Sequence, residues 1–310
     1  MADAFYSRPT SVEEALALAG KAGGGGMFVA GGTDVQTYRK QELEHRQHLI
    51  DLCAVESLKQ VKVAGNELVI GSMTSLDDLA QSKDARDWCS MISAAARAVA
   101  SPTIRYTATV GGNLLVSNRC TFYNQSRLWR ESAGSCLREI GPTCLATGGT
   151  DKCYARNVSD LAPALIALDA RIDIVSNNGT RTISLCDIYV ADGLRAQGGL
   201  EAGAIITAVR ITLRPIRWSF RKLRVRESID FTSLTVAGTL LSTGTARICV
   251  NGISTSPVLI ECDPATSTLA EIQSQARRHC KTVDNDLLPL KHRREMIDVY
   301  LEDLWCSFTT

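Results

Sequence analysis

The chain has 310 residues, 45% hydrophobic and 22% charged, with a net charge of +1. That length allows two or three domains with large cores. The near-neutral balance, without a Lys/Arg run, excludes a nucleic-acid footprint or an anionic-membrane patch. No apolar run approaches the roughly 18–20 residues that span a bilayer. The first 20 residues lack the basic and apolar regions of a signal peptide, so a cytoplasmic protein is expected.

In chain order, "SVEEALALAG" from Ser11 has an N-cap serine, early glutamates and Leu/Ala periodicity, which predicts a helix. "MFVAGGTDV" from Met27 reads as a strand breaking into a Gly-Gly turn, and "HLIDLC" and "ELVIGS" read as strands. "SLDDLAQS" and "WCSMISAAARAVAS" read as helices, after which "ATVGGNLLVS" repeats the pattern of a strand and a Gly-Gly turn. A cysteine-bearing loop follows. "SDLAPALIALDA" is then a helix starting at Ser159 and Asp160, and "RIDIVSN" with "GTRTISLCD" forms a hairpin through Asn-Gly. Past Pro215, "SFRKLRVRES", "SLTVAGTLLS" and "ARICVNGIS" predict antiparallel strands, followed by helices in "STLAEIQSQARRHC" and "LKHRREMIDVYLEDLWCSF". The expected organisation is an α/β lobe over 1–58, a second α/β lobe over 59–214 with a loop insertion at 118–156, and a C-terminal α/β domain over 215–310.

Two features carry chemistry. The first is the pair of glycine turns, Gly31-Gly32 and Gly111-Gly112, 80 residues apart. Consecutive glycines let backbone N–H groups converge on an anion such as a diphosphate. Neither turn has the G-x-G-x-x-G spacing or a Walker lysine, and a tight turn alone explains either one. Together they suggest one diphosphate held from two sides.

The second feature is Cys120, Cys136, Cys144 and Cys153, separated by 15, 7 and 8 residues in a loop of Gly, Ser, Thr and Asn. Four thiols suit an iron–sulfur or a zinc centre. Zinc sites usually use two closely spaced Cys pairs, whereas wide spacing suits a loop wrapped round a larger inorganic group. The seven other cysteines stand singly in apolar contexts and read as small buried hydrophobes. In the loop, Tyr123 and Trp129 read as shields for the metal group or covers for a cofactor. The four histidines read as solvated, and no triad, paired-carboxylate site or catalytic cysteine signature stands out, so no catalytic residue is expected here.

"FVAGGTDV", "ASPTIRYTATVGGNLL" and "SDLAPALIALDA" resemble the FAD-binding subunit of the xanthine dehydrogenase family of molybdenum hydroxylases. The resemblance implies the α/β FAD-binding fold of that family. It places the diphosphate cradle on Phe28, Val29, Ala30, Gly31, Gly32, Thr33, Asp34 and Val35, and on Thr109, Val110, Gly111, Gly112 and Asn113. Ser159 and Asp160 would lie beside the flavin, Leu115 and Ile206 would flank it, and Lys222 in "FRKLRVRESIDF" would be a flavin-side cation. One departure is Ala204 in "EAGAII", where the family commonly has an acidic residue.

The cysteine loop, "RCTFYNQSRLWR", "KCYARNVSDLAPALIALDAR" and "KHRREMIDVYLEDLW" resemble one subgroup, the beta subunits of 4-hydroxybenzoyl-CoA reductases. There the four cysteines hold a [4Fe–4S] cluster. The resemblance implies an electron-transfer subunit with FAD and one such cluster. Its partners would be a molybdenum-pterin subunit and a [2Fe–2S] subunit in a dimer of heterotrimers, with a ferredoxin-like donor and an aromatic thioester as substrate. Two alternatives remain: the same wiring in a hydroxylase of N-heterocycles or other aromatics, and a zinc-stabilised binding module without redox function.

Overall fold

The structure is a computed structural model and describes residues 5–309. Three sheets follow one another along the chain. The first is parallel, in the order β1 (Phe5–Ser7), β3 (His48–Asp51), β2 (Gly26–Val29). Helix α1 (Val12–Ala22) crosses from β1 to β2 and α2 (Val35–Lys40) follows the first glycine turn. Ser11 caps α1 by accepting the Glu14 N–H at 3.1 Å, and Glu13 and Glu14 in its first turn suit the helix dipole.

The second sheet is antiparallel throughout, in the order β4 (Val61–Ala64), β5 (Glu67–Gly71), β8 (Ile205–Ile211), β6 (Arg171–Ser176), β7 (Gly179–Ser184). Between β5 and β6 run short helices: α3 (Leu76–Gln81), α4 (Lys83–Trp88), α5 (Ser90–Arg97), α6 (Pro102–Arg105), α7 (Val110–Leu114), α8 (Arg127–Ala133) and α9 (Leu161–Ala167). All seven residues of α9 are buried, as an element apolar on every side must be. It packs between α5 and the third sheet.

That third sheet, antiparallel in the order β12 (Val258–Cys262), β11 (Ala246–Asn251), β10 (Leu234–Leu240), β9 (Arg217–Leu223), is backed by α10 (Leu269–His279) and α11 (Leu290–Thr309). Strand β10 is buried on both faces, and its alternation divides two cores. Val236 and Leu240 join the helices, while Ala237 joins the core around α9 and Thr239 donates to the Ala167 carbonyl at 2.8 Å. At Gly238 a Cβ would stand 2.5 Å from Leu304, so glycine is what lets α11 lie flat on the strand. Among the described residues no helix is long and apolar enough to cross a membrane.

One element departs from expectation. "ATVGGNLLVS" is not a strand ending in a turn: Thr109 makes a single bridge to Ser75, and α7 begins at once. The Thr109 hydroxyl accepts the Gly112 N–H at 3.1 Å, so the β-branched residue that suggested a strand is an N-cap.

Candidate functional site

The first two lobes and residues 229–231 of the third enclose a cavity of about 570 Å³, inside the roughly 300–1,000 Å³ range of small-molecule and cofactor sites. The two glycine turns meet on its wall. Gly32 holds φ +67°, the left-handed region that glycine enters without cost. A Cβ on Gly31 would lie 2.0 Å from the Thr107 carbonyl oxygen, so the first turn is pressed against the chain leading to the second. A Cβ on Gly112 would lie 3.7 Å from that of Ala30. The turns therefore form one surface.

Of the residues expected at a cofactor, all line this cavity except Val29, Val110, Ser159 and Lys222. Val110 belongs to the core. Ser159 lies one layer back: its hydroxyl donates to Asn113 Oδ1 at 2.8 Å and accepts the Ala162 N–H at 3.0 Å. It thus fixes a cavity side chain and caps α9. Lys222 lies behind Asp160. Its Nζ is 2.7 Å from Asp160 Oδ2 and also reaches the carbonyls of Ala98 (2.8 Å) and Asp230 (3.1 Å), with both side chains of the pair below 5% exposed. Burial pushes the Asp160 carboxyl upward and the Lys222 ammonium pulls against it. The other carboxylate oxygen, Oδ1, is buried without a hydrogen-bond partner in the protein.

Cys120, Cys136, Cys144 and Cys153 are all buried and line one small second cavity, about 10 Å³, with Phe122, Tyr123, Arg138 and Ala155. Their loop is irregular apart from α8, yet it folds closely on itself. The Cys144 N–H donates to the Gly149 carbonyl at 2.7 Å, and at Gly141 a Cβ would strike the Ser135 carbonyl oxygen. Burial pushes the Cys120 thiol up to about 11, and the thiols of Cys153, Cys136 and Cys144 add to it. Cys153 is raised by burial too, with Arg138 acting the other way. Among the described residues, no group of three or more His, Cys, Asp or Glu is arranged to hold a metal ion.

Of the other cysteines, Cys89, Cys249 and Cys280 are buried and Cys53, Cys186 and Cys262 half-buried. Cys306 is exposed on α11, which corrects its reading as a core thiol. Trp129 is 40% exposed and lines neither cavity, so it shields nothing there.

Arg119 was not singled out by the sequence, although it directly precedes the first loop cysteine. Its guanidinium lies on the cavity wall, 2.8 Å from Asp34 Oδ1, 4.2 Å from the Phe231 ring centre and 4.9 Å from that of Tyr38. Arg130 is buried and joins Glu139 within the loop to the Gln41 carbonyl after α2. Only folding brings these partners together, since 85 or more residues separate Arg119 from Asp34 and Arg130 from Gln41.

Two glycine turns lining one deep cavity suit a nucleotide cofactor. Residues 2–213 match the family described as the FAD binding domain in molybdopterin dehydrogenase, and the chain belongs to this family of FAD-binding oxidoreductase subunits. It is 32% identical over 272 residues to the aldehyde oxidoreductase FAD-binding subunit PaoB of Escherichia coli (strain K12), covering 84% of each chain. To the carbon monoxide dehydrogenase medium chain of Afipia carboxidovorans it is 24% identical over 261 residues, covering 83% of this chain and 76% of that one. Among solved structures, Cu,Mo-CO dehydrogenase in its cyanide-inactivated form matches with a TM-score of 0.77 at 22% identity, covering 98% of this chain and 97% of that one. Quinoline 2-oxidoreductase from Pseudomonas putida 86 matches with a TM-score of 0.74 at 16% identity, covering 98% and 96%. These structures share its mixed α/β FAD-binding fold.

The residues present fit that cofactor. Both turns place glycine where a side chain would obstruct, and Asp160 keeps an unpaired buried acceptor at the cavity.

Proposed function

We propose that this chain holds FAD in the large cavity and one [4Fe–4S] cluster on Cys120, Cys136, Cys144 and Cys153, and conducts electrons between them for a molybdenum enzyme. The observation that carries this is the enclosure of four buried thiols around one void beside the cofactor cavity. Four thiolates with no open position are the donor set of a cubane cluster, and the wide sequence spacing suits a group larger than one ion. The zinc module is disfavoured, because it leaves the glycine-walled cavity without a purpose.

Bound FAD supplies a carrier that exchanges electrons singly or in pairs, and the cluster a one-electron carrier. The chain's own residues do the rest. Gly31, Gly32, Gly111 and Gly112 bring the backbone close to a diphosphate at the start of α7. Asp160 offers Oδ1 as an acceptor, and the Lys222 ammonium at Oδ2 opposes the rise that burial imposes on its carboxyl. Lys222 thus acts through Asp160. Ile206, Leu115 and Phe28 give the cavity an apolar lining that limits water.

The complex we propose pairs this chain with a molybdenum-pterin subunit and a [2Fe–2S] subunit, doubled. On the resemblance of the cysteine loop, two electrons from a ferredoxin-like donor would enter one at a time at the cluster and, with two protons from solvent, would release the phenolic hydroxyl of an aromatic thioester as water in the molybdenum subunit. The similarity to an aldehyde oxidoreductase subunit favours a second reading, in which an aldehyde or another organic substrate is oxidised and the current runs outward. Two experiments test this. Iron, acid-labile sulfide and flavin per purified chain should give four, four and one; zinc in place of iron overturns the cluster. Assaying the intact complex with aromatic thioesters plus reduced ferredoxin, and with aldehydes plus an electron acceptor, then separates the two directions.

A further inference from the structure

The two cavities share one side chain. Tyr123 lines both the large cavity and the cysteine pocket, and among the described residues no other is common to the two walls. It is set firmly there. The Tyr123 N–H donates to the Cys120 carbonyl at 3.1 Å, and the Cys120 N–H donates to Asn124 Oδ1 at 3.0 Å, so the ring rides on a tight turn that starts at a loop cysteine. The Arg138 guanidinium lies 4.3 Å from the ring centre, held by the Asn118 carbonyl at 2.5 Å and the Ser117 hydroxyl at 2.6 Å. Ser117 lines the large cavity and Arg138 the small one, so the clamp on the ring also straddles the partition.

Resting on the function proposed above, we infer that Tyr123 is the coupling residue between the two redox groups: its ring touches both, fixes their separation and carries the electron across. Electrons cross packed atoms more readily than empty space, and a rigid aromatic ring clamped by a cation is a packed bridge of fixed geometry. One electron leaves the reduced cluster and one arrives at the flavin. The ring is neither oxidised nor reduced overall and exchanges no proton. The external reductant is dithionite or a reduced ferredoxin.

The test uses the intact complex, reduced by dithionite and sampled by rapid-freeze EPR, which reads the reduced cluster and the flavin radical separately. Tyr123→Phe keeps the ring and should transfer at the wild-type rate. Tyr123→Leu should keep FAD and iron content while cluster-to-flavin transfer slows about tenfold, equivalent to about 1.4 kcal/mol of barrier. Trp129→Leu, outside both cavities, should change nothing. Wild-type transfer in a fully loaded Tyr123→Leu overturns the inference, as does slowing in Tyr123→Phe equal to that in Tyr123→Leu. If Tyr123→Leu loads poorly, Tyr123→Met, which fills the wall without a ring, is judged by the same rate. If neither loads, joint loss of FAD and iron, with both restored in Tyr123→Phe, supports contact with both groups, and loss of only one overturns it. A wild-type chain without iron and sulfide refutes the proposed function instead, which keeps the two failures apart.

Discussion

The glycine cradle and the cysteine loop stand side by side but are held by different physics. The cradle is a by-product of packing: its turns cap or follow regular elements, and backbone close to backbone demands glycine there. Its cavity measures about 570 Å³. The loop has one short helix and a minimal apolar cluster of Cys120, Cys153, Ala155, Phe122 and Tyr123. It is tied to the first lobe by polar contacts: Arg119 to Asp34, Arg127 to Glu42, and Arg130 to the Gln41 carbonyl. One site is built by the fold. On the function proposed above, the other is completed by its cluster, as small metal-organised segments are.

The largest effect expected from that contrast follows Cys136→Ser. A hydroxyl is a poor substitute for thiolate on iron, so the cluster should be lost entirely and the loop should become protease-sensitive, while FAD stays bound. Cys249→Ser, at a thiol in the core around α9, should leave the iron content unchanged. Metal analysis of both variants decides it, and a wild-type iron content in Cys136→Ser would break the comparison.

Next comes Asp160→Ala. It strands the Lys222 ammonium in a buried site, at a cost of about 3–5 kcal/mol by chemical denaturation. Asp160→Ala with Lys222→Met should recover part of that loss. A double-variant cost equal to the sum of the Asp160→Ala and Lys222→Met costs would show that the pair is not coupled.

The cradle itself is tested by Gly31→Ala. Its Cβ meets backbone that cannot swing aside, so destabilisation of about 3 kcal/mol is expected, at the upper end for overpacking, together with weakened FAD binding. Gly32→Ala meets only Val29, at 3.7 Å, and carries mainly the positive-φ cost of about 1–2 kcal/mol. Flavin titration and denaturation should rank the two in that order; the reverse ranking would mean that strain, and not close approach, shapes the turn.

The smallest effect belongs to the loop's outer tie. Arg127 and Glu42 are both about half exposed, so Arg127→Ala should cost less than about 1 kcal/mol and leave iron and flavin content intact. A large loss of iron would show that surface charge, and not the metal, orders the loop.

Much of this was legible in local patterns. Ser11 before "VEEALALAG" announced α1, and "SLTVAGTLLS" read as the strand that is β10. The two Gly-Gly pairs and the four cysteines marked residues that the fold brings to two cavities, because both residue types stand out from the sequence around them. Thr109 was misjudged for a physical reason: β-branching favours a strand, but a threonine hydroxyl facing an open N–H caps a helix, and the chain beyond decides between them.

The sequence by itself determined the family, the elements whose signals span a few residues, and which residues are candidates for a cofactor and a metal group. Only the tertiary structure decided that Lys222 is engaged by Asp160, 62 residues away, that Arg119 reaches back 85 residues to the first turn, and that one tyrosine lines both cavities. Short-range rules describe what neighbours do along the chain. Which side chain faces a cavity, and which stands behind it, depends on contacts made only when distant segments pack.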